Sequence, residues 1–347
     1  MTQIDTGRRT DTLDGPRGWR DLAPFLEAPM RDALDRLEPD IRLVCGYHLG
    51  YWTADGEPTD EGGKGVRPAL ALLSARAAGG SWRDGVPAAV ACELVHNFSL
   101  LHDDVMDGDV ERRHRATAWS AFGTPSAILA GDALLSLANE ILAAAPGPTT
   151  TWAIRCLNAC TRRLIAGQAA DLSFETRAEV TPDECLTMAS DKTSALLACS
   201  ASVGAVLLDA PPDLAIGLAA YGEHLGLAFQ LVDDLLGIWG SPERTGKPVW
   251  SDLRARKKTL PVTAALASTG PAAQRLRELY AATEAHGEAE LAETAELVEQ
   301  AGGRTWTEDR VERESAAALE VLDGLDLPDD VRHELDDLTA TLSRRDY

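Results

Sequence analysis

The amino-acid sequence predicts an all-α fold, and three features lead to this prediction. Only 5% of the 347 residues are aromatic, whereas alanine and leucine are abundant. No Asn-Gly or Asp-Gly turn joins two alternating runs of β-branched residues, so a sheet has little to be made from. Apolar residues recur instead at the spacing of one helix face, and 45% of the chain is hydrophobic, which is enough for a sizeable core.

Helices are expected along most of the chain, several of them opened by a proline at the first helical position. The first helix lies in LAPFLEAPMRDALDRL, and the Gly-rich loop TADGEPTDEGGKGVRP separates it from the apolar segment ALALLSARAAG. Further helices are predicted at residues 87–110, 125–144, 151–172, 190–208 and 214–238. Helical patterns then continue from residue 261 to the end of the chain.

The chain is expected to form one domain, because no low-complexity linker and no repeat divides it. Residues 1–20 are polar and lack the apolar stretch of a signal peptide, so we expect a flexible tail before a domain at residues 21–347. The apolar run at residues 194–208 is too short to cross a membrane. We therefore predict a core helix there and no transmembrane segment.

Composition limits the partners and the compartment. The net charge of −22 excludes nucleic acid, whose phosphates require a clustered basic face on the protein. The six cysteines are scattered without CxxC spacing, which predicts buried thiols and neither zinc ligands nor disulfides. Free thiols suit a reducing cytoplasm.

The segment LLHDDVMDGDVERRHRATAW places five acidic side chains within nine positions. Such a run is often a solvated helix face. In helical projection, however, Asp103 and Asp107 fall on the same side as His96, with Asp104 flanking them, and opposite an apolar stripe. Carboxylates one turn apart repel each other unless a cation lies between them, so a bound cation is the alternative interpretation.

A second acidic pair, Asp233 and Asp234, lies in the apolar helix FQLVDDLLGIWG, where uncompensated carboxylates are costly to bury. Two such pairs predict one shared metal site. Oxygen ligands favour Mg²⁺, which is usually shared with substrate phosphates. Cations near turns and acidic motifs support a diphosphate site, and they are Lys64, Arg67, Arg112, Arg113, Lys192, Lys247, Lys257 and Lys258.

From about Leu22 to its C-terminus the chain resembles the trans-isoprenyl diphosphate synthases of the polyprenyl synthetase family. The motifs that carry this resemblance occur in the family's order: GGKGVRP, ELVHNFSLLHDDVMD with ERRHRAT, GQAADL, DKTS, FQLVDDLLG and GKPVWSDLRARKKTLP. The resemblance implies a homodimer of single-domain helical bundles, each around a deep central cavity. It also implies that isopentenyl diphosphate is condensed with an allylic diphosphate through a carbocation.

The resemblance further implies a role for each matching residue. Three Mg²⁺ ions would be held by Asp103, Asp104, Asp107 and Asp233, with Asp234 nearby. The allylic diphosphate would bind Arg112, Lys192, Lys247 and Lys257. Isopentenyl diphosphate would bind Lys64, Arg67, His96 and Arg113. The region between the substrates would be lined by Gln168, Thr193 and Gln230.

Three positions depart from the family pattern. Gly237 stands where a third aspartate is usual in the second motif, which predicts weaker metal binding and a harmless Gly237→Asp substitution. Trp250 and Arg256 stand where glycines are usual, which puts the closure of this loop in question.

Product length is expected to depend on the helix before Asp103. Ser99 and Cys92 are small and lie near its acidic side, and of the fourth and fifth positions before the motif only Phe98 is aromatic. These residues predict geranylgeranyl diphosphate (C20), with farnesyl diphosphate (C15) as the shorter alternative.

Two other functions are compatible with the sequence pattern. A terpene cyclase would ionise a single prenyl diphosphate on the same scaffold, and a non-catalytic regulatory subunit would explain the altered second motif. Some proteins of this type are packaged in protein shells through N-terminal tails, but here the tail is short.

Overall fold

The computed structural model describes residues 16, 18–59, 65–241, 249–281 and 287–343. Over these ranges the chain is helical, and the only sheet among them is a hairpin of two short strands. The predicted all-α fold class is confirmed.

The helices of the described residues follow the chain from end to end. They are α1 (Leu22–Leu34), α2 (Pro39–Leu49), α3 (Val66–Ala77), α4 (Val86–Asp107), α5 (Ala118–Phe122), α6 (Thr124–Ala144), α7 (Thr150–Thr176), α8 (Pro182–Ala189), α9 (Ala195–Leu207), α10 (Pro212–Trp239), α11 (Ser251–Arg254), α12 (Leu260–Ala267), α13 (Pro271–Ala281), α14 (Glu288–Gln300), α15 (Gly303–Asp323) and α16 (Asp329–Ser343). One π-helical turn (Ser190–Ser194) joins α8 to α9. Strands β1 (Glu111–Arg112) and β2 (Arg115–Ala116) follow α4.

The core is centred on α9, which packs against α3, α4, α7 and α10. Leu196, Leu197 and Val203 are buried, although they point to different sides of α9. A helix that is surrounded by other helices needs no polar face. The prediction of a core helix from the uncharged run at residues 194–208 is confirmed.

The end of α4 determines where the first acidic motif stops. Gly108 has a φ of 69°, and its backbone N–H donates to Asp104 O, so it caps the helix in the left-handed conformation that glycine adopts without strain. The helix therefore ends at Asp107, before the predicted boundary at residue 110. The chain then turns back into the hairpin of β1 and β2.

Among the described residues, α6 is the one helix long and apolar enough to span a membrane. Its Leu134, Leu137 and Leu142 are buried, and it packs against α2, α4 and α7. A core helix passes the same test of length and composition, so this finding is weak evidence for a membrane span.

The last residues of the predicted tail contact the C-terminal helix. Trp19 Nε1 and Arg20 Nη2 each donate to Asp337 Oδ2 on α16 at 2.8 Å, and Trp19 is buried. Trp19 and Arg20, at the end of the predicted tail, are thus held by α16. Residues 1–15 of the predicted tail lie outside the described residues.

Candidate functional site

The last turns of α4 carry Asp103 and Asp107, which face cations from two other segments. Burial raises the pKa of Asp103 to about 6, against the opposing effect of the Lys192 charge. Lys257 Nζ donates to Asp107 Oδ2 at 3.3 Å. Burial alone would lower the pKa of Lys257, but the charges of the carboxylates around it, Asp107 foremost, raise it. The first motif and the segment after α11 therefore meet at one place, as predicted.

Asp104 has a different environment from its neighbours. It is 1% exposed, and its Oδ1 accepts a bond of 2.7 Å from Arg112 Nε. Burial raises the pKa of Asp104 in spite of this ion pair. Its second oxygen, Oδ2, is buried and has no hydrogen-bond partner among the described residues. Asp104 thus keeps an acceptor available for a ligand while it holds Arg112.

Lys192 pairs with an acidic residue that sequence analysis did not single out. Its Nζ donates to Asp171 Oδ2 on α7 at 2.6 Å. Asp171 lies in the GQAADL motif, one helical turn after Gln168, so its spacing was the available signal. The charge of Asp171 also acts on Asp103 and on Lys257.

A relay of hydrogen bonds connects the π-helical turn to the second acidic motif. Thr193 Oγ1 donates to Gln230 Oε1 at 2.6 Å, and Gln230 Nε2 donates to Asp234 Oδ1 at 2.7 Å. The other oxygen of Asp234 accepts from the Leu260 backbone N–H at 2.9 Å. Burial raises the pKa of Asp234 to about 7, although the Leu260 bond favours the charged form. Asp234 therefore acts as a buried connector between α10 and α12.

The missing third aspartate of the second motif has a structural counterpart. An ideal Cβ placed on Gly237 would lie 2.0 Å from Oδ2 of Asp252, a residue of α11. The carboxylate of Asp252 thus fills the space that any side chain at position 237 would need. The prediction of a harmless Gly237→Asp did not take this neighbour into account, because the Asp252 carboxylate would have to move to admit the new side chain.

The two other departures from the family pattern are also explained by backbone geometry. Trp250 and Arg256 have φ values of 60° and 53°, which is the left-handed region that glycine prefers. Arg256 is held there by a bond of 2.6 Å from its Nη2 to Tyr280 O. Both bends of the loop are thus retained without glycine, and neighbouring contacts stabilise the strained conformation.

A half-buried arginine and a half-buried histidine form the core of a separate cationic pocket. Arg67 Nη1 lies 3.2 Å from His96 Nε2. A guanidinium group only donates, so His96 Nε2 accepts and the ring proton is on Nδ1. Burial and the nearby arginines hold the pKa of His96 well below its usual range. The Nε of Arg67 is buried without a hydrogen-bond partner in the described part of the chain.

The hairpin after α4 brings further cations to this region. Arg113 and His114 form its two-residue turn with φ values of 52° and 62°, a left-handed geometry that glycine or asparagine usually adopts. Such strain is typical of functional sites. Beside the hairpin lies a small, partly open cavity, which is lined by residues that include Arg112, Arg113 and Arg115.

His48 lines the same cavity and was missed by sequence analysis, because a single histidine on an apolar helix gives no signal. Its Nε2 is buried and has no hydrogen-bond partner among the residues that the structure describes. Burial, together with the charges of the nearby arginines, lowers the pKa of His48 to about 3. His48 is therefore a neutral ring at the edge of a cationic pocket.

Gln168 is another buried polar residue without a hydrogen-bond partner in the described part of the chain. Both amide atoms of Gln168 are buried and make no hydrogen bond to the described residues. Such an amide is expected to face a ligand or water. The predicted position of Gln168 between the substrates fits this environment.

The predicted length-setting residues of α4 fall on different sides of the helix. Ser99 is buried and its Oγ donates to His96 O at 2.7 Å. Phe98 packs edge-on against His102 with ring centroids 5.0 Å apart, so it is not brought together with the carboxylates. Cys92 is buried, and the nearby thiol of Cys199 on α9 lowers its pKa.

Two predicted binding residues, Lys64 and Lys247, lie outside the described residues. Asp233, another predicted metal ligand, lies close enough to Arg67 and Asp234 for its negative charge to act on both.

The donor set of the two acidic motifs fits Mg²⁺. The donors are carboxylate oxygens, which hard cations prefer. Burial of Asp103 is costly without a cation, and Asp104 has a buried oxygen without a partner in the described chain. No group of three His, Cys or carboxylate side chains among the described residues could hold a metal ion by itself. Substrate phosphates and water would have to complete the coordination, as is usual for Mg²⁺.

Comparisons with known proteins agree with the geometry of the site. Residues 57–298 match the family described as Polyprenyl synthetase. The chain is 50% identical over 322 residues to the (2E,6E)-farnesyl diphosphate synthase of Mycobacterium tuberculosis H37Rv, covering 91% of this chain and 90% of that protein. It is 43% identical over 333 residues to the geranylgeranyl diphosphate synthase of the same organism, covering 95% and 93%. The crystal structure of a polyprenyl synthetase from Streptomyces coelicolor A3(2) has a TM-score of 0.89 and 51% identity, covering 93% of this chain and 98% of that chain.

Proposed function

This chain belongs to the polyprenyl synthetase family and is a prenyltransferase, and we propose that it joins isopentenyl diphosphate to an allylic diphosphate at two adjacent pockets. One observation carries the proposal. The guanidinium of Arg67, whose Nε is buried, hydrogen-bonds to the neutral ring of His96, and no ion pair joins it to a carboxylate of the described residues. A buried cation with a neutral partner is prepared for an anion. A terpene cyclase, which ionises one diphosphate, would not need this second pocket.

The isopentenyl diphosphate binds, in this proposal, to a pocket formed by Lys64, Arg67, His96 and Arg113. His48 lies beside it, and its buried Nε2 is without a hydrogen-bond partner among the described residues. Because the imidazole of His96 is neutral, the pocket recognises the diphosphate through the arginines, the lysine and ring N–H groups.

The allylic diphosphate binds between the acidic motifs. Mg²⁺, on which this family depends, would neutralise the growing charge of the leaving diphosphate there. We place three ions, two at Asp103, Asp104 and Asp107 and one at Asp233. The Asp252 carboxylate takes the place of the third aspartate that Gly237 removes from the second motif.

Cations from four segments hold the allylic diphosphate, and they are Arg112, Lys192, Lys247 and Lys257. Three of them are now paired with carboxylates, for example Lys192 with Asp171 and Lys257 with Asp107. We propose that these cations turn from their carboxylates to the diphosphate when the substrate binds. The cost of separating each pair is then offset by new charge-assisted hydrogen bonds.

The reaction begins when the allylic C–O bond breaks and its electron pair leaves with the diphosphate, which Lys192, Lys257 and Arg112 stabilise. The double bond of isopentenyl diphosphate then attacks the allylic cation and forms the new C–C bond. The dipoles of Thr193, Gln168 and Gln230 face the developing positive charge. Finally a proton is lost to the departed diphosphate, so no dedicated side-chain base is required. Apolar walls exclude water, which would otherwise capture the cation.

We propose geranylgeranyl diphosphate as the product, with farnesyl diphosphate as the shorter alternative. Ser99 and Cys92 are small, and Cys92 contacts the thiol of Cys199 across the interior, so small side chains from α4 and α9 meet below Asp103. The relatives include both a farnesyl and a geranylgeranyl diphosphate synthase. The length therefore depends on the side chains of this region in this particular chain.

We also propose that the protein is a cytoplasmic homodimer. Ile128 and Leu129 on α6, and Trp152 and Ile165 on the adjacent α7, are 40% to 57% exposed. Exposed apolar patches of this kind mark interaction sites. Sedimentation analysis would test this proposal: Leu129→Glu should give monomers, whereas Ile216→Glu at an exposed position of α10 should leave the dimer intact. The six free cysteines suit a reducing compartment.

Product chromatography tests the central proposal. The protein is incubated with Mg²⁺, isopentenyl diphosphate and an allylic primer, and also with a C15 or C20 diphosphate alone. A chain-extended diphosphate is expected in the first reaction only. A hydrocarbon from the single substrate would instead identify a cyclase, and no product from any mixture would favour a non-catalytic subunit.

A further inference from the structure

The π-helical turn at Ser190–Ser194 carries two residues of the proposed active site, Lys192 and Thr193. A π-turn has hydrogen bonds between residues i and i+5, and such turns within α-helices are frequent at functional sites. Here it places Lys192 against Asp171 on α7 and Thr193 against Gln230 on α10. The position of both groups therefore depends on what holds the turn between these helices.

Two glycines let the neighbouring helices approach the turn closely. A Cβ on Gly167 of α7 would lie 2.3 Å from the backbone N of Lys192, and a Cβ on Gly226 of α10 would lie 2.6 Å from Cα of Ser194. Either methyl group would push the turn out of place. The turn is thus enclosed on two sides by backbone, with no room for a side chain.

A third contact fixes the start of the turn, and it comes from Arg163. Its Nε donates to Asp191 Oδ1 at 2.7 Å, and its Nη2 donates to Ser190 Oγ at 2.8 Å. The same guanidinium makes two bonds to Glu223 on α10, of 2.9 Å from Nη1 and 2.8 Å from Nη2. Ser190 Oγ in turn donates to Glu223. Arg163 therefore joins α7, the π-turn and α10 through one planar group.

The network is charged at neutral pH. Burial alone would raise the pKa of Glu223, but its bonds from Arg163 and Ser190 lower it. An arginine suits this position because its fork offers several donors in a fixed plane, which a lysine lacks. Arg163 is assigned to neither substrate pocket, and none of its bonds reaches Lys192 or Thr193 directly.

We propose that Arg163 is a positioning residue that holds the π-turn so that Lys192 and Thr193 meet the allylic diphosphate. This inference rests on the function proposed above for Lys192. The guanidinium fixes the first two residues of the turn, and Gly167 and Gly226 fix the rest from either side. Lys192 then projects from a support that does not shift when its ion pair with Asp171 opens.

Steady-state kinetics with each substrate varied in turn, together with Tm, would test the role of Arg163. Arg163→Met should raise KM for the allylic substrate and lower kcat, each by roughly ten- to a hundredfold, because small displacements of a positioned group have effects of this size. KM for isopentenyl diphosphate should stay within about twofold, since Arg67 and His96 lie outside the network. Arg163→Lys should recover part of the loss.

Arg310 provides a matched control. Its Nε donates to Glu314 at 2.8 Å, and Glu314 also bonds to His224 on α10, so this network resembles that of Arg163 but does not touch the π-turn. Arg310→Met should lower Tm about as much as Arg163→Met while leaving both KM values unchanged. Equal kinetic effects of the two variants would show that Arg163 acts only through general stability, and would overturn the inference.

Lys192→Ala separates the inference from the function on which it rests. If Lys192→Ala leaves KM for the allylic substrate unchanged, the proposed role of Lys192 is wrong. If it raises this KM but Arg163→Met does not, only the role of Arg163 is wrong. When both are right, adding Arg163→Met to Lys192→Ala should raise the allylic KM by no more than about twofold, because residues that act as a unit are not additive. Glu223→Gln, which weakens the same network, serves if Arg163→Met fails to fold.

Discussion

Lys257 Nζ lies 3.3 Å from Asp107 Oδ2, although 150 residues separate the two in the sequence. The pair connects the end of α4 with the segment that follows α11. It also shows that the cations and carboxylates of this site neutralise one another before a substrate is bound.

Lys257→Gln is expected to lower kcat, because it removes a positive charge that would stabilise the leaving diphosphate. Loss of one charge-assisted hydrogen bond corresponds to about 1.5–3 kcal/mol, or roughly ten- to a hundredfold. Lys258→Gln is the matched control, since Lys258 Nζ donates to Phe174 O at 2.6 Å, outside the acidic cluster. Kinetics with both variants would check this, and a larger effect at position 258 would contradict the assignment.

Gly237→Asp is expected to weaken Mg²⁺ binding and lower kcat by about tenfold, because the Asp252 carboxylate must move to make room and then lies beside a second carboxylate that repels it. The double variant Gly237→Asp with Asp252→Gly moves the carboxylate to position 237 and should recover most of both losses. Calorimetric titration of Mg²⁺ in the presence of inorganic diphosphate gives the affinity. If the double variant were worse than Gly237→Asp alone, the two carboxylates would not share one role.

His96→Leu is expected to raise KM for isopentenyl diphosphate by roughly tenfold or more, with a much smaller change for the allylic substrate. The ring accepts a bond from Arg67, and without it the guanidinium loses its orientation. His96→Gln keeps an acceptor and should be milder. Initial rates with each substrate varied would decide, and equal changes in both KM values would mean that the pockets are assigned wrongly.

His48→Gln is expected to make stability less sensitive to acid. The pKa of His48 is lowered to about 3 by burial, so below the ordinary value of 6.5 the unfolded chain takes up a proton that the folded chain does not. The stability due to neutral His48 is complete above this value and is lost as the pH falls towards 3. Between pH 7.5 and pH 5 the loss is about 2 kcal/mol.

Urea unfolding of wild type and His48→Gln at pH 7.5 and pH 5, at one protein concentration, would measure this difference. The other titrating groups are common to both proteins and cancel in the comparison. An unfolding free energy that falls equally in both would show that His48 is not buried in neutral form.

Ser99→Phe is expected to shorten the product towards C15, because it adds a ring on the side of α4 that also carries Cys92 and Asp103. Phe98→Leu should change product length less, since Phe98 packs against His102 on another side of the helix. Chromatography of the dephosphorylated products would compare them. If Ser99→Phe still gave a C20 product, this side of α4 would not line the cavity.

The sequence by itself determined the fold class, the position of the core helix and the two acidic motifs. These features depend on local patterns: apolar periodicity defines a helix face, and paired aspartates on an apolar helix require a cation. The order of short motifs pointed to the family, which the match over residues 57–298 shows. The glycine at position 237 is also visible in the sequence, but the Asp252 carboxylate that lies beside it is not.

Only the tertiary structure showed how distant residues meet, because such contacts depend on packing between helices and leave no local pattern. Asp252 fills the space beside Gly237, and Asp171 pairs with Lys192. His48 lies beside the arginines of the hairpin, but it belongs to no sequence motif that would have identified it. The sequence predicts ordinary helix over the π-turn, because its extra residue leaves no local pattern. The space for the turn comes from Gly167 and Gly226 on the neighbouring helices. Local sequence thus specifies which groups are present, and packing specifies which of them act together.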